Sequence, residues 1–382
     1  MARSVVEALS SAHDVTVLCG RPSYDPTERL PWRPYKTEIT SRVRILRAGS
    51  TDFPRLDMKK RVANYLSYTA LSIPRALFVP CDAVVAMTDP PFQGIAGAIV
   101  SMLKGKPYVY NIRDLYPDMA VGGSIVEPGS LAKIWEKLHR WALRRATRVV
   151  VLGEDMRARI VAKGVDLARV SIVRDGAEIL PLNTPLPFPD PEVVRAIRGN
   201  FSFVLLHAGN LGFYGAWNTL ITAARSLANE GVGLVFVGNG AQRAQIAEAS
   251  TGSSNIRFLE FFPASKIPSV LAAADVHVIT VKRGLEGVVV PSKMYGILAA
   301  GKPIMAVAPN ETDAVSLGVR RGFAVAADPD RPAEVASAVR ALASDPTKLK
   351  AMGEAARAAA PDYDRVKELR KFAEIINRLK VG

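Results

Sequence analysis

The residues best placed to do chemistry lie in the stretch Gly284 to Ile304, GLEGVVVPSKMYGILAAGKPI. It reads as a loop with one carboxylate, Glu286, then a turn at Pro291-Ser292, then a helix over Lys293 to Ala300 that stops at Gly301. Ser292 is placed to cap that helix, and Gly301 followed by Pro303 is a strong stop signal. Free N–H groups around Val290 to Ser292, the neighbouring Lys293 and a glycine-bearing entry loop at Gly287 together make a receptive place for an anion. The same residues also fit an ordinary α/β crossover in which Ser292 only caps and Lys293 is only solvated.

Two further loops have the same character. Gly209-Asn210 lies in a turn after the strand Phe203 to His207, and Gly238-Asn239-Gly240 follows another strand and opens a helix. Arg113-Asp114 stands at the end of the strand Tyr108 to Ile112, where open α/β sheets place their ligands. The set points to a phosphorylated ligand. Other chemistries are poorly supported. Gly238-Asn239-Gly240 lacks the third glycine and the acidic residue of a dinucleotide fingerprint, and no GxxxxGK[ST] phosphate loop exists. The pairs Asp328-Pro-Asp330 and Asp362-Tyr-Asp364 read as capping turns rather than Mg²⁺ ligands. His13, His139, His207 and His277 have no metal-ligand spacing, and His207 and His277 read as packed strand residues. No metal site is expected.

Regular alternation positions these loops. Strands at Ala83 to Met87, Tyr108 to Ile112, Arg148 to Leu152 and Val170 to Val173 are separated by helices at Phe92 to Leu103, Leu131 to Ala146 and Glu154 to Lys163. The second of these helices has an apolar face of Ile134, Leu138, Trp141 and Ala142. Asp175 to Pro191 has many prolines and no period, which marks a boundary. The pattern then restarts, with strands at Gly233 to Val237, Ile256 to Leu259, Val276 to Thr280 and Ile304 to Val307, and a helix at Trp217 to Glu230. Strands alternating with helices imply parallel sheets. At 382 residues two domains are expected. The start departs from the pattern: Ala2 to Ser10 reads as a helix before the strand Asp14 to Cys19, so the usual first strand and glycine-rich loop are expected to be missing from this sequence, the alternative being a differently arranged domain.

The formal charge of +14 calls for an anionic partner, and the half up to about residue 185 is the more basic. The basic region 55–75, with Lys59, Lys60 and Arg61 beside Val62, Tyr65, Leu66 and Tyr68, suits either an anionic membrane or a domain helix with a solvated charged face. Cys19 and Cys81 suggest a reducing compartment. No apolar run reaches the length of a spanning helix, so a cytoplasmic protein is expected, with contact to the inner face of the cell membrane allowed.

AGNLG (208–212), FVGNGAQR (236–243), AAADVHVIT (272–280) and GLEGVVVPSKMYGILAAGKP (284–303) closely resemble the retaining glycosyltransferases of family 4, nearest to the bacterial polysaccharide amino-sugar transferases. MTDPPFQ (87–93) and NIRDLYPD (111–118) resemble that branch as well. The resemblance implies the α/β GT-B fold, two Rossmann-like domains. Residues 1–180, joined by a C-terminal helix at 364–382, would form the acceptor-side domain, and 181–363 the nucleotide-sugar domain. In the family's paired-glutamate motif the first glutamate contacts the donor sugar and the second the ribose; Glu286 is matched to the first, and Gly296, counted back from Gly301-Lys302-Pro303, holds the place of the second. Asn210 and Gly215 hold the places of two family cations, which leaves Lys293 as the diphosphate's cation.

The implied function is transfer of a hexose or N-acetylaminosugar from a nucleotide-sugar, UDP-linked, to a glycan or polyprenyl-linked acceptor of a cell-surface polysaccharide. No cofactor, no metal and no nucleic-acid partner are implied. Glu286, Lys293, Arg113 and Asp114 are the expected catalytic residues. Gly209, Asn210, Gly238, Gly240, Gly287, Val290, Pro291 and Ser292 would join Glu286 and Lys293 around the donor. A non-catalytic GT-B-shaped nucleotide-binding or assembly protein is the alternative.

Overall fold

The computed structural model describes residues 2–20, 33–40, 43–53, 58–182, 184 and 186–379. The chain divides into two compact units. The first comprises Met1–Leu152, Met156–Val173 and Lys367–Gly382, and the second Gly153–Asp155 and Arg174–Val366. Residues 54–57, which belong to the basic region 55–75, and the side chain of Lys59 lie outside what is described. Among the described residues, no helix is long and apolar enough to cross a membrane.

The first unit begins with α1 (Ala2–Ser10), β1 (Val15–Cys19), β2 (Tyr35–Thr40), β3 (Val43–Ala48) and α2 (Met58–Leu77). There follow β4 (Val84–Met87), α3 (Gln93–Lys104), β5 (Tyr108–Asn111), α4 (Asp118–Gly122), α5 (Ser130–Arg145), β6 (Arg148–Val151), α6 (Glu154–Ala162) and β7 (Val170–Ile172). Its strands form two sheets: a three-stranded one in the order β1-β3-β2 and a parallel four-stranded one in the order β4-β5-β6-β7. Both faces of β5 are buried, which is why Tyr108, Val109 and Tyr110 follow one another with no polar alternation. The edge strands β1 and β4 are only partly buried. Val5 and Leu9 of α1 pack with Val109, Val150, Val173 and Phe372 in one core, so the chain's final helix is part of this unit.

Helix α5 departs from the sequence reading. Ala142 is buried, but Ile134 is 56% and Leu138 45% exposed, so the apolar face drawn from periodicity splits in two. The buried face is Ala132, His139, Ala142 and Leu143. Helical period reports that a face is apolar; it does not report whether a neighbour covers it.

The second unit continues with α7 (Pro191–Arg198), β8 (Phe203–Ala208), α8 (Trp217–Ser226), β9 (Val232–Val237), α9 (Arg243–Ala249), β10 (Ile256–Leu259), α10 (Ile267–Ala272) and β11 (Val276–Thr280). It ends with α11 (Lys293–Ala299), β12 (Ile304–Val307), α12 (Asp313–Arg320), β13 (Ala324–Ala327), α13 (Pro332–Ala343), α14 (Pro346–Ala359) and α15 (Arg365–Asn377), whose last part belongs to the first unit. The six strands are all parallel, in the order β10-β9-β8-β11-β12-β13. One core layer joins Val193 and Ile197 of α7, Val204 and Leu206 of β8, Val235 and Val237 of β9, and Val270 of α10. α8 is shorter than expected. It ends at Ser226, and the residues after it form turns in which Leu227, Ala228 and Glu230 N–H donate to the carbonyls of Ala224, Arg225 and Leu227.

The strand order places the site. From β8 the chain moves outward to β9 and β10, then returns to lay β11 on the other side of β8. The carboxyl ends of β8 and β11 therefore flank a topological switch point, the place where open parallel sheets leave a crevice for ligands.

Candidate functional site

Three segments meet at this switch point. Gly209 follows β8, Gly238 follows β9, and the loop after β11 delivers Lys293 at the first position of α11. The first two are laced together. Gly209 N–H donates to Val237 O, Leu211 N–H to Asn239 O, and Gln242 N–H to Leu211 O. Gly238 has φ +134°, and a Cβ there would stand 2.3 Å from the Gly209 carbonyl oxygen. A Cβ on Gly240 would stand 2.5 Å from Leu211 N. Both glycines are thus demanded by the contact between two backbones, whatever else the loops bind.

Lys293 Nζ lies 2.8 Å from His207 Nε2. These residues are 86 apart in the chain and meet only because β8 and β11 are sheet neighbours. The His207 ring stands edge-on to Trp217, with centroids 4.9 Å apart, and Trp217 Nε1 in turn donates to Gly212 O at 2.8 Å. Tyr214 Oη donates to Asn210 O at 2.5 Å, closing the same loop. His207 is fully buried. Burial, and then the charge of Lys293, hold its imidazole neutral, well below the usual histidine range. A neutral ring can accept the ammonium's hydrogen bond but cannot balance its charge. Burial brings Lys293 down to about 7, and among the described residues no carboxylate pairs with it. The sequence reading took His207 for a packed strand residue. The available signal was a polar residue at the end of an apolar run, two positions before Gly209.

The other expected site residues fall into three groups. Glu286 lies on the entry loop, half-buried, and its Oε1 accepts from Gly284 N–H at 2.7 Å, so this carboxylate shapes its own turn. Gly287 has φ +64° and sits inside the same turn. Val290 and Pro291 are buried just ahead of α11. Ser292 needs correction as a cap. It holds the N-cap position in helical geometry, but its hydroxyl makes no capping hydrogen bond. Capping requires an extended backbone that swings the oxygen over the first turn, and Ser292 lacks one. α11 is also only seven residues long. Its stop is as read: Gly301, at φ +62°, donates to Leu298 O, and Lys302 N–H to Ile297 O. At Gly296 a Cβ would meet only Leu271 Cδ1, at 3.8 Å, so packing does not require glycine there.

Arg113 and Asp114 belong to the first unit. Their backbone N–H groups donate to Thr88 Oγ1 at 3.0 and 3.2 Å, which ties the loop after β5 to the end of β4. Asp328 and Asp330 form a turn, with Asp330 N–H on Asp328 Oδ1, and both carboxylates hold Arg283, at 2.9 and 2.6 Å. Asp362 pairs with Arg321 at 2.7 Å. His277 Nε2 lies 2.9 Å from Leu271 O and is packed, as read.

Residues 1–176 match the family model described as Glycosyl transferase 4-like domain, and residues 202–345 the one described as Glycosyl transferases group 1. The chain belongs to glycosyltransferase family 4. Two curated relatives are WbjE of Pseudomonas aeruginosa, named as a glycosyltransferase, and WcaI of Escherichia coli K12, named for a glycosyl transferase of colanic acid biosynthesis. WbjE is 26% identical over 59% of this chain and WcaI 24% over 68%. The chain spans 57% and 65% of the length of these two relatives.

Among solved structures, Anabaena Alr3699/HepE in complex with UDP-glucose superposes with a TM-score of 0.66 at 19% identity, covering 87% of this chain and 86% of that one. Sucrose-phosphate synthase from Thermosynechococcus elongatus gives 0.68 at 16% identity, covering 99% and 92%. WaaG, of lipopolysaccharide biosynthesis, gives 0.66 at 14%, covering 99% and 95%. This family 4 chain has the GT-B fold. In the second unit Lys293 lies beside a buried imidazole on β8.

Proposed function

We propose that the protein is a retaining glycosyltransferase that moves a hexose or N-acetylaminosugar from a UDP-sugar to a glycan or polyprenyl-linked acceptor in polysaccharide biosynthesis. One observation carries this reading: Lys293 Nζ is held at the sheet's switch point against a neutral imidazole, and among the described residues no carboxylate pairs with it. Burying an unpaired cation costs stability, so its placement makes sense when a ligand brings the missing negative charge. A nucleoside diphosphate does so. Neighbours solved with UDP and with UDP-glucose support a uridine donor, and the naming of WcaI for colanic acid biosynthesis supports a polysaccharide acceptor.

In this reading the bond from the anomeric carbon to the β-phosphate oxygen breaks, and its electron pair leaves with UDP. The acceptor hydroxyl oxygen bonds to the same face of the sugar, and its proton passes to the departing diphosphate. Lys293 stabilises the charge that develops on that leaving group in a dry site, where it acts more strongly than in water. Glu286 orients the sugar hydroxyls from the turn it shapes, and Arg113 and Asp114 serve the acceptor-side unit. A metal has no assigned role, and the enzyme works in the cytoplasm, at the inner face of the membrane where a polyprenyl-linked acceptor is found.

The test is turnover of a panel of nucleotide-sugars by the complete reading frame, with and without EDTA. Lys293→Ala is expected to lower kcat by on the order of 100-fold, and EDTA to change nothing. UDP binding without turnover of any nucleotide-sugar would replace this reading with the non-catalytic one. Unchanged kcat in Lys293→Ala would remove Lys293 from the mechanism.

A further inference from the structure

Besides its buried face, α5 presents a second apolar stripe to solvent. Leu131, Ile134, Leu138 and Trp141 follow one another at helical spacing along a single line. Leu131 is 80%, Ile134 56% and Leu138 45% exposed, and Trp141 is half-buried. At 1.5 Å per residue the stripe is about 15 Å long. α3 packs beside α5 and ends in two more exposed apolar side chains, Met102 and Leu103.

The stripe has a basic flank. Lys133, Lys137 and Arg144 are exposed along its solvent side, and among the described residues no carboxylate pairs with any of them. The helix has one acidic residue, Glu136, and it lies on the opposite flank. There it is held by Lys163 Nζ at 2.8 Å and by Arg140 Nε at 2.5 Å. The outward face of α5 is therefore apolar and cationic, with its single negative charge turned aside and neutralised.

We propose that this face of α5 docks the protein on an anionic lipid bilayer. The helix lies in the plane of the surface, Leu131, Ile134 and Leu138 enter the boundary between headgroups and acyl chains, and Lys133, Lys137 and Arg144 meet the lipid phosphates. An apolar stripe with leucine and tryptophan beside a lysine- and arginine-bearing face is the composition that partitions into such interfaces. A protein partner would also cover an apolar stripe, but a flank of three cations with no acidic residue complements a uniformly negative plane.

The docking surface is thereby placed away from α2, the helix of the basic region. There Tyr68 and Ser72 are buried, Arg61 Nε donates to Tyr65 Oη at 2.6 Å, and Leu66 is the one large apolar side chain exposed among the helix's described residues. The proposal does not depend on the transferase reading, since a chain inactive toward every nucleotide-sugar would still bind vesicles.

Co-sedimentation of the full chain with vesicles tests it. Vesicles of phosphatidylcholine with about 30% phosphatidylglycerol are expected to carry the protein down at low salt, and phosphatidylcholine alone is not. Lys133→Ala with Lys137→Ala should weaken partitioning by roughly 25-fold, about fivefold per cation. Ile134→Ser with Leu138→Ser should weaken it by at least about tenfold. The thermal midpoint should hold in both, because the side chains are exposed. Brominated lipid should quench a fluorescence component that Trp141→Phe removes. The proposal falls if the wild type ignores anionic vesicles or if the two double variants sediment as it does. It falls equally if the wild type self-associates without binding vesicles and Ile134→Ser/Leu138→Ser makes it monomeric, which would assign the stripe to a second copy of the chain.

Discussion

Raising the pH should loosen UDP from this protein through one residue. In the free chain Lys293 titrates at about 7 because burial penalises its charge and His207, its partner, is neutral. A diphosphate beside it favours the ammonium and raises that value. Binding above pH 7 must then take up a proton, and the apparent Kd grows in proportion to one plus the ratio of neutral to charged lysine. Between about pH 7 and about pH 8.5 that factor goes from about 2 to about 30, a loss of about 15-fold in affinity. The window lies above the phosphate's own second ionisation near 6, so the ligand's charge stays nearly constant.

Calorimetry in two buffers of different ionisation enthalpy reads both the Kd and the proton, with uptake approaching one per UDP near pH 8. Lys293→Met should bind weakly with a flat profile. The stability consequence has a definite sign. The folded value lies below the unfolded one, so the unfolded chain holds the extra proton between about 7 and about 10.5, and unliganded stability rises with pH across that window. Below it the penalty is complete, and Lys293→Met should be the more stable protein there by a few kcal/mol. A wild-type Kd constant within about twofold from pH 7 to pH 8.5, with no buffer-dependent heat, would refute the reasoning.

Two glycines should respond in opposite senses. Gly296→Ala is expected to stabilise the chain by about 0.5–1 kcal/mol in urea unfolding, because the position is helical and a Cβ meets only Leu271 Cδ1 at 3.8 Å. A lower urea midpoint would show that the backbone there needs glycine. Gly238→Ala should cost about 3 kcal/mol or more, since φ is +134° and the new methyl would stand 2.3 Å from Gly209 O. An unchanged midpoint would mean that the two loops are not locked together.

The central parallel strands were legible because burial on both faces leaves short apolar runs bounded by turn residues. Val276–Thr280 and Ile304–Val307 are buried throughout and lie where those runs put them, while the edge strand Ile256–Leu259 is only partly buried and carries Arg257. The stop of α11 was legible for an equally local reason, as Gly301 adopts a positive φ that other residues avoid. Lys293 could be singled out by type and by its place after a turn, and family membership could be read from short motifs.

Position along the chain could not reveal which strands become neighbours. That choice, the return of the chain to lay β11 beside β8, puts Lys293 on His207 across 86 residues, takes much of the water from its amine and moves its titration to about 7. Ser292 shows the same limit on a smaller scale, since a good capping residue caps only if its backbone is extended. The face of α5 shows it at the surface. Periodicity marks Ile134 and Leu138 as apolar neighbours, while only the packing of α3 and the sheet decides that they remain in solvent. Local interactions are written in nearest-neighbour sequence; dielectric environment, counter-charge and exposure depend on which distant segments arrive, and only the tertiary structure decides those.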